Sequence, residues 1–471
     1  MRRLPASVET LGAIPMNTPV TAPRSPAAEL ARTARLAAPL VAGHLATGMI
    51  GLVDSLIAGH HGTATLAAVS VGAAMFWLPM MIPMGTLMAL PPTVSQLDGS
   101  GRHAEIAPMF RQAVWLAAIL GVLMWGLLTL LPMAMAPFGI AESIRPGATA
   151  FLHGIRWGVP ALTLYMAMRY LCDGLHFSLP TMVFGLGGLL VLAPLGWMLA
   201  FGRFGFPEMG AGGLGVASAA MMWVQMLGFA LYLWRARRFE SLGLFARFDR
   251  ISRPAQAALL RTGLPIGVTV AMEGSLFIVT ALLIGRLGEV PAAAHQIAIN
   301  VASLCFMIPF GIAEATTIRV GNALGRGDRG GILRAARVGL VLVLGTQLVS
   351  GAAMVFGHDF IVSRYTTDVA VAALASSLLL YAAAFQFPDG IQVLSAGALR
   401  GLKDTRVPMF LAALAYWGVG MPLGAGLGLG LGRGPQGMWL GLIAGLCVAA
   451  VLLARRFLHS ARTMPMPTHP A

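Results

Sequence analysis

Met81-Ile82-Pro83-Met84-Gly85 and Met307-Ile308-Pro309-Phe310-Gly311 carry one pattern, Met-Ile-Pro-x-Gly, twice at a spacing of 226 residues. Around them, 13 of 44 ungapped positions agree between 59–102 and 285–328, where a composition this rich in Ala, Gly and Leu gives about four or five by chance. The matches include Gly59/Gly285, Gly62/Gly288, Gly85/Gly311, Gly99/Gly325 and Gly101/Gly327, and Pro39/Pro265 keeps the same offset. The chain is an internal duplication. Each copy holds six apolar segments, an even number, so the second copy enters a membrane from the same side as the first. That makes the repeats parallel, related by an axis along the membrane normal.

The composition agrees with a chain that is mostly membrane. Of 471 residues, 57% are hydrophobic and 11% charged, against about 25% charged in soluble domains. Apolar segments fall near 34–58, 69–95, 112–136, 148–170, 181–201, 211–234, 257–285, 293–319, 332–356, 369–398, 407–431 and 436–457, each long enough to cross a bilayer. The expected fold is an all-α integral membrane protein of twelve spans. Two six-helix lobes, 34–234 and 257–457, flank a central cleft and are joined by the polar loop 235–256. The proline-rich stretch 1–33 lacks the apolar core of a secretory signal and reads as a disordered tail, with a second tail at 458–471. Alternating the loops places 26 of the 32 Lys and Arg residues on the side of both tails and 6 on the other. By the positive-inside rule both termini are cytoplasmic, in the inner membrane of a bacterium.

The same counts remove several functions. Lys403 is the only lysine, and Asp404 follows it, so no Walker A loop and hence no ATP site is present. Its polar surroundings also argue against a buried Schiff-base lysine. Cys172, Cys305 and Cys447 are too far apart in sequence for a CxxC motif and read as packing residues. His60 and His61 stand without an H-E-x-x-H pattern, so no resident metal is expected. The net charge of +14 is spread as loop clusters, a topology signal that implies no nucleic acid partner.

Four acids fall inside apolar spans: Asp54, Glu273, Glu314 and Asp389. An acid at the centre of a span costs about 2.5–3.5 kcal/mol on insertion scales, which makes these the leading functional candidates. Glu273 lies about twelve residues from either end of its span and no basic residue shares its central stretch. A carboxyl at that depth is protonated, ion-bound or facing water, and exchange among those states is what an ion-coupled carrier needs. Asp389 follows Pro388, whose missing N–H frees a carbonyl able to help hold a cation. Asp54 sits toward the outer third of the first span, with Thr280 as its counterpart in the repeat. Glu314 is five residues from Arg319 near the cytoplasmic end of its span, a position suited to a secondary acid that snorkels or plays a structural part. Met80 and Met84, beside Phe76 and Trp77, and Phe385 next to Asp389, are candidate cavity-lining residues. Thioethers and aromatic faces suit varied, often cationic, organic molecules.

Leu52-Val-Asp-Ser-Leu-Ile-Ala-Gly59 with Leu66-Ala-Ala-Val69, Gly263-Leu-Pro-Ile-Gly267 with Glu273, Ala294-His-Gln-Ile297, Arg319-Val-Gly-Asn-Ala-Leu-Gly-Arg326, Asp389-Gly-Ile-Gln392, Gly397-Ala-Leu-Arg-Gly401 and Lys403-Asp-Thr405 together resemble the multidrug and toxic compound extrusion (MATE) family, in its NorM-like branch. The resemblance spans 34–457. It implies a cation antiporter that exports organic, mostly cationic compounds in exchange for Na⁺ or H⁺, working as a monomer without a cofactor. It places Glu273 and Asp389 on the family's coupling-ion acids, where Na⁺ binds transiently if it is the ion, and Asp54 on its first-helix acid. The stretch Gly188-Leu-Leu-Val-Leu-Ala-Pro-Leu-Gly196 lacks the Asn that family members often place beside that acid. This disfavours a Na⁺ site in the N-terminal lobe and leaves proton exchange for Asp54. A lipid-linked saccharide flippase shares the architecture but calls for a strongly basic cleft, while a membrane-embedded enzyme lacks its metal or nucleophile motif here.

Overall fold

A computed structural model describes residues 25–467. The expected tail 1–33 lies outside the described residues up to position 24, as do 468–471 of the C-terminal tail. Among the described residues every regular element is helical. Eleven helical rods are long and apolar enough to cross a membrane. They are α1 Pro26–His61, α2 Thr63–Gly99, α3 His103–Ala134, α5 Leu179–Phe201, α6 Gly210–Arg235, α7 Arg253–Gly285, α8 Glu289–Gly325, α9 Arg329–Ser363, α10 Val369–Gly401, α11 Arg406–Gly430 and α12 Gly434–Thr463. The remaining rod, α4, is broken into Arg145–Ile155 and Val159–Gly174 by a 3₁₀ turn at Arg156–Gly158. Pro160 explains the break, because it has no N–H to return to the carbonyl of Arg156. Twelve rods therefore form the two lobes, with the fourth interrupted where the sequence had read as continuous.

Capping fixes several helix starts. Ser25 Oγ accepts from the N–H of Ala28 at 3.3 Å, with Pro26 in the first turn, so α1 begins at Pro26, inside the stretch expected to be a disordered tail. Asp328 and Asp368 cap α9 and α10 in the same way, accepting from Gly331 and Val371 at 2.7 and 2.9 Å. The duplication is visible in the backbone. Gly62 and Gly288, which open α2 and α8, have φ of 153° and 120°, and Gly101 and Gly327, which follow those helices, have φ of 71° and 70°. L side chains rarely adopt these values, which accounts for glycine at both ends of both copies.

Each lobe has its own core, built around Phe76, Phe110, Phe151 and Phe229 in the first and Tyr416, Trp439 and Phe385 in the second. A third cluster joins them: Leu36, Ala37 and Leu40 of α1 pack with Ile312, Ala315 and Ile318 of α8 and with Val343 and Leu394. It sits in the half of the bundle that carries both described chain ends, here called the terminal face. The lobes meet there backbone to backbone. A Cβ on Gly85 of α2 would lie 2.5 Å from Gly267 Cα of α7, and one on Gly267 would lie 2.5 Å from the carbonyl of Ile82. Toward the opposite face the helices part, and Gly48, Gly51 and Gly285 have no neighbour within 4 Å of an added Cβ. Polar contacts complete the terminal seal: Gln96 donates to the carbonyl of Gly401 at 2.8 Å, Asn322 donates to Asp98 at 2.9 Å, and Arg319 pairs with Glu29 and Thr33.

Because lipid tails are as apolar as Leu, the seam is held by close packing and hydrogen bonds and not by a hydrophobic drive. Overpacking it is therefore expected to cost about 1–3 kcal/mol. Gly267→Leu should lower the melting temperature in detergent, whereas Gly48→Ala, which points into open space, should leave it unchanged or raise it. Equal melting of both variants would show that the seam is not tightly packed.

Candidate functional site

The four in-span acids occupy three different settings. Asp54 of α1 is 6% exposed and takes one contact, from Ser218 Oγ of α6 at 3.5 Å; its Oδ1 is buried without a partner. It faces a cavity of about 180 Å³ walled by α1, α2, α4, α5 and α6. Phe76, Trp77, Tyr165, Met166, Met221 and Met222 supply the apolar wall, and Thr47, Ser70 and Gln225 supply hydroxyl and amide groups. The wall contains no basic side chain. Of the cavity residues expected from sequence, Phe76 and Trp77 are present, their rings edge to face at 5.2 Å. Met80 and Met84 are not. They lie one and two turns nearer the terminal face, where Met80 is fully buried in the N-terminal core and Met84 packs against it. Phe385 is likewise a core residue, packed between Phe277 and Trp439 with ring centroids at 6.0 and 5.6 Å.

Glu273 of α7 and Asp389 of α10 come together in the C-terminal lobe. Gln392, one turn beyond Asp389, donates from Nε2 to Glu273 Oε1 at 3.0 Å and, at a longer 3.4 Å, to Asp389 Oδ1. Tyr416 of α11 fixes the amide by donating its hydroxyl to Gln392 Oε1 at 2.9 Å. Two carboxylates thus share one neutral donor, an arrangement short of positive charge that a proton or a metal cation would balance. Gln392 stood in the sequence only as part of a motif, although its i+3 spacing from Asp389 puts both on one helix face. Tyr416 had no local signal. Its position is a consequence of α11 packing against α7 and α12.

Glu314 is neither snorkelled nor paired with Arg319. It is 4% exposed, accepts from His44 Nε2 of α1 at 2.8 Å, and lies 3.6 Å from Arg169 Nη2 of α4. Arg319 turns away to Glu29 and Thr33. Arg169, 3% exposed, also pairs with Asp173 at 3.4 Å, and Thr181 donates to Asp173 at 2.7 Å. Arg400 of α10 is 8% exposed. Buried basic residues therefore do occur inside the bundle, where sequence reasoning had assigned nearly all arginines to loops. Arg169 and Glu314 are 145 positions apart and belong to different lobes, so no local pattern announces the pair.

The MatE family model matches residues 39–198 and 265–425, two segments that begin at the 226-residue offset of the internal repeat. A protein from Xanthomonas campestris pv. campestris, described as probable multidrug resistance protein NorM, is 64% identical over 451 residues, covering 96% of this chain and 98% of the relative. Multidrug resistance protein PmpM of Pseudomonas aeruginosa is 41% identical, covering 92% of each chain. Among solved structures, the outward-facing conformation of a multidrug resistance MATE family transporter superposes with a TM-score of 0.84 at 17% identity, over 93% of this chain and 97% of the other. On the extent of these matches, the chain belongs to the MatE family.

Proposed function

We propose that this protein is a secondary active multidrug efflux transporter of the bacterial inner membrane. It exports organic, mostly cationic molecules by antiport with Na⁺ or H⁺. The observation that carries the reading is the Asp54 cavity: an under-partnered carboxylate set in aromatic and thioether walls that hold no basic side chain. Such a wall favours a cation with apolar substituents over an anion, because the carboxylate supplies the charge and the rings offer their negative faces. The same feature weighs against a pyrophosphate-bearing lipid as substrate. The names of the relatives point the same way.

In this reading both termini are cytoplasmic and the terminal face is the cytoplasmic gate, which the structure has closed. The opposite half opens outward, so substrate leaves and the coupling ion enters. A cation that enters between Glu273 and Asp389 balances their charge and allows the lobes to rock, and the organic cation binds after the cleft has opened inward. Each net positive charge moving in releases about 2.3 kcal/mol per 100 mV, enough to drive export with no ATP.

Proteoliposomes loaded with a fluorescent organic cation test this under separately imposed Na⁺ and pH gradients. One gradient should drive efflux, and Glu273→Gln or Asp389→Asn should reduce the rate at least about ten-fold, the loss of one charge-assisted contact. Undiminished efflux at normal expression would overturn the assignment. Asp54→Asn should weaken the organic cation by about 1.5–3 kcal/mol in equilibrium binding and leave an uncharged analogue of the same shape unaffected. Equal weakening of both would mean that Asp54 shapes the cavity and does not recognise charge.

A further inference from the structure

The buried arginines lie between the carboxylate pair and the closed terminal face. Glu314, a residue of the C-terminal lobe, is held by two groups of the N-terminal lobe: His44 at 2.8 Å and Arg169 at 3.6 Å. The Phe310 ring stands edge-on to His44 with centroids at 4.6 Å and shields the contact. Like the Arg319–Glu29 pair, this charge cluster crosses between the lobes, and it can persist only while the terminal face is shut. Arg400 stands beside it with no carboxylate in ion-pair range. Its Nε is buried without a partner and its Nη1 rests 3.7 Å from Met88 Sδ of the opposite lobe. Glu314 and Glu273 both lie near enough to attract the Arg400 guanidinium. A narrow cavity of about 50 Å³ is lined by Glu273, Gln392, Phe310 and the Arg400 guanidinium, and also by Asp404, which is paired with Arg456 at 2.8 Å.

We propose that Arg400 is a positioning residue that transmits the charge state of Glu273 to an inter-lobe lock formed by His44, Arg169 and Glu314. The inference rests on Glu273 being a coupling acid. While Glu273 is negative, it shares the attraction of Arg400, and Glu314 remains committed to the N-terminal lobe. When a cation neutralises Glu273, Arg400 turns its attraction to Glu314, in competition with His44 and Arg169. Both belong to the C-terminal lobe, so Arg400 satisfies Glu314 without holding the lobes together. Arg169 then loses its partner across the seam and the cytoplasmic gate is free to open. Ion arrival on one side thereby releases the closure on the other, which is the order an antiporter needs.

Leu40→Cys reports the gate, because Leu40 is fully buried in the inter-lobe cluster. In protein lacking the three native cysteines and reconstituted in liposomes, its alkylation by N-ethylmaleimide measures opening at the terminal face. Glu314→Gln should raise that rate several-fold. Glu273→Gln, which mimics the neutralised acid, should raise it about three-fold or more with Arg400 present and leave it unchanged with Arg400→Gln, a coupling within the range of contacting charged groups. Arg400→Lys should restore part of the response, and Arg400→Met is the second neutral variant should the glutamine fail to fold. Equal effects of Glu273→Gln with and without Arg400, or no effect of Glu314→Gln, would overturn the lock. Coupled alkylation together with undiminished efflux from Glu273→Gln would instead overturn the role of Glu273 in ion coupling and leave the lock standing.

Discussion

A charge inside the hydrocarbon layer has to be paired, neutralised or given water, and the internal organisation of this bundle follows from how each one is satisfied. Arg169, Asp173, Glu314 and His44 satisfy one another. Asp54 and the Glu273/Asp389 pair do not, since the first has one weak hydroxyl contact and the second shares a single amide. The first set has reason to stay together and makes a closure. The second has unmet demand for positive charge, which is why the proposed function places the binding sites there. Burial alone does not separate them, because Glu314 and Asp389 are almost equally inaccessible.

The fold was largely legible because its signals are periodic. Span length and the 226-residue repeat each constrain topology independently, and the twelve rods agree with both. The exceptions have local causes. Hydropathy does not register that Pro160 removes a backbone donor, so the fourth span read as continuous. The Ser25-Pro26 cap extends α1 back into a stretch whose composition suggested disorder. The acids were legible as anomalies in apolar runs, whereas their partners were not. His44, Arg169 and Arg400 acquire meaning only after lobes distant in sequence are packed, and which of Phe76 and Met80, one turn apart on the same face of α2, lines the cavity depends on where the cavity floor falls.

The seam between the lobes is made for reversible contact. Without a hydrophobic drive, two lobes in lipid stay together through close backbone approach and specific polar pairs. Both are concentrated at the terminal face: Gly85 against Gly267, Gln96 on Gly401, Asn322 on Asp98. Such contacts are lost together when the helices separate by a few ångströms, which gives a gate with two states and not a graded one.

The duplication places a symmetric scaffold under asymmetric chemistry. At the repeat offset, Thr47 corresponds to Glu273 and Asp54 to Thr280. Each lobe's first helix therefore carries one acid and one threonine seven residues apart, on one face, but in opposite order. Seven residues are about 10.5 Å along a helix. The C-terminal acid is consequently nearer the terminal face by that distance than the N-terminal acid. The deeper position brings Glu273 within the field of Arg400 and the inter-lobe lock, while the shallower one leaves Asp54 in a roomy cavity with no basic neighbour. Two duplicated lobes can keep one helical scaffold and still hold their carboxylates in different settings, because a single exchange of acid and threonine sets the depth at which each one lies.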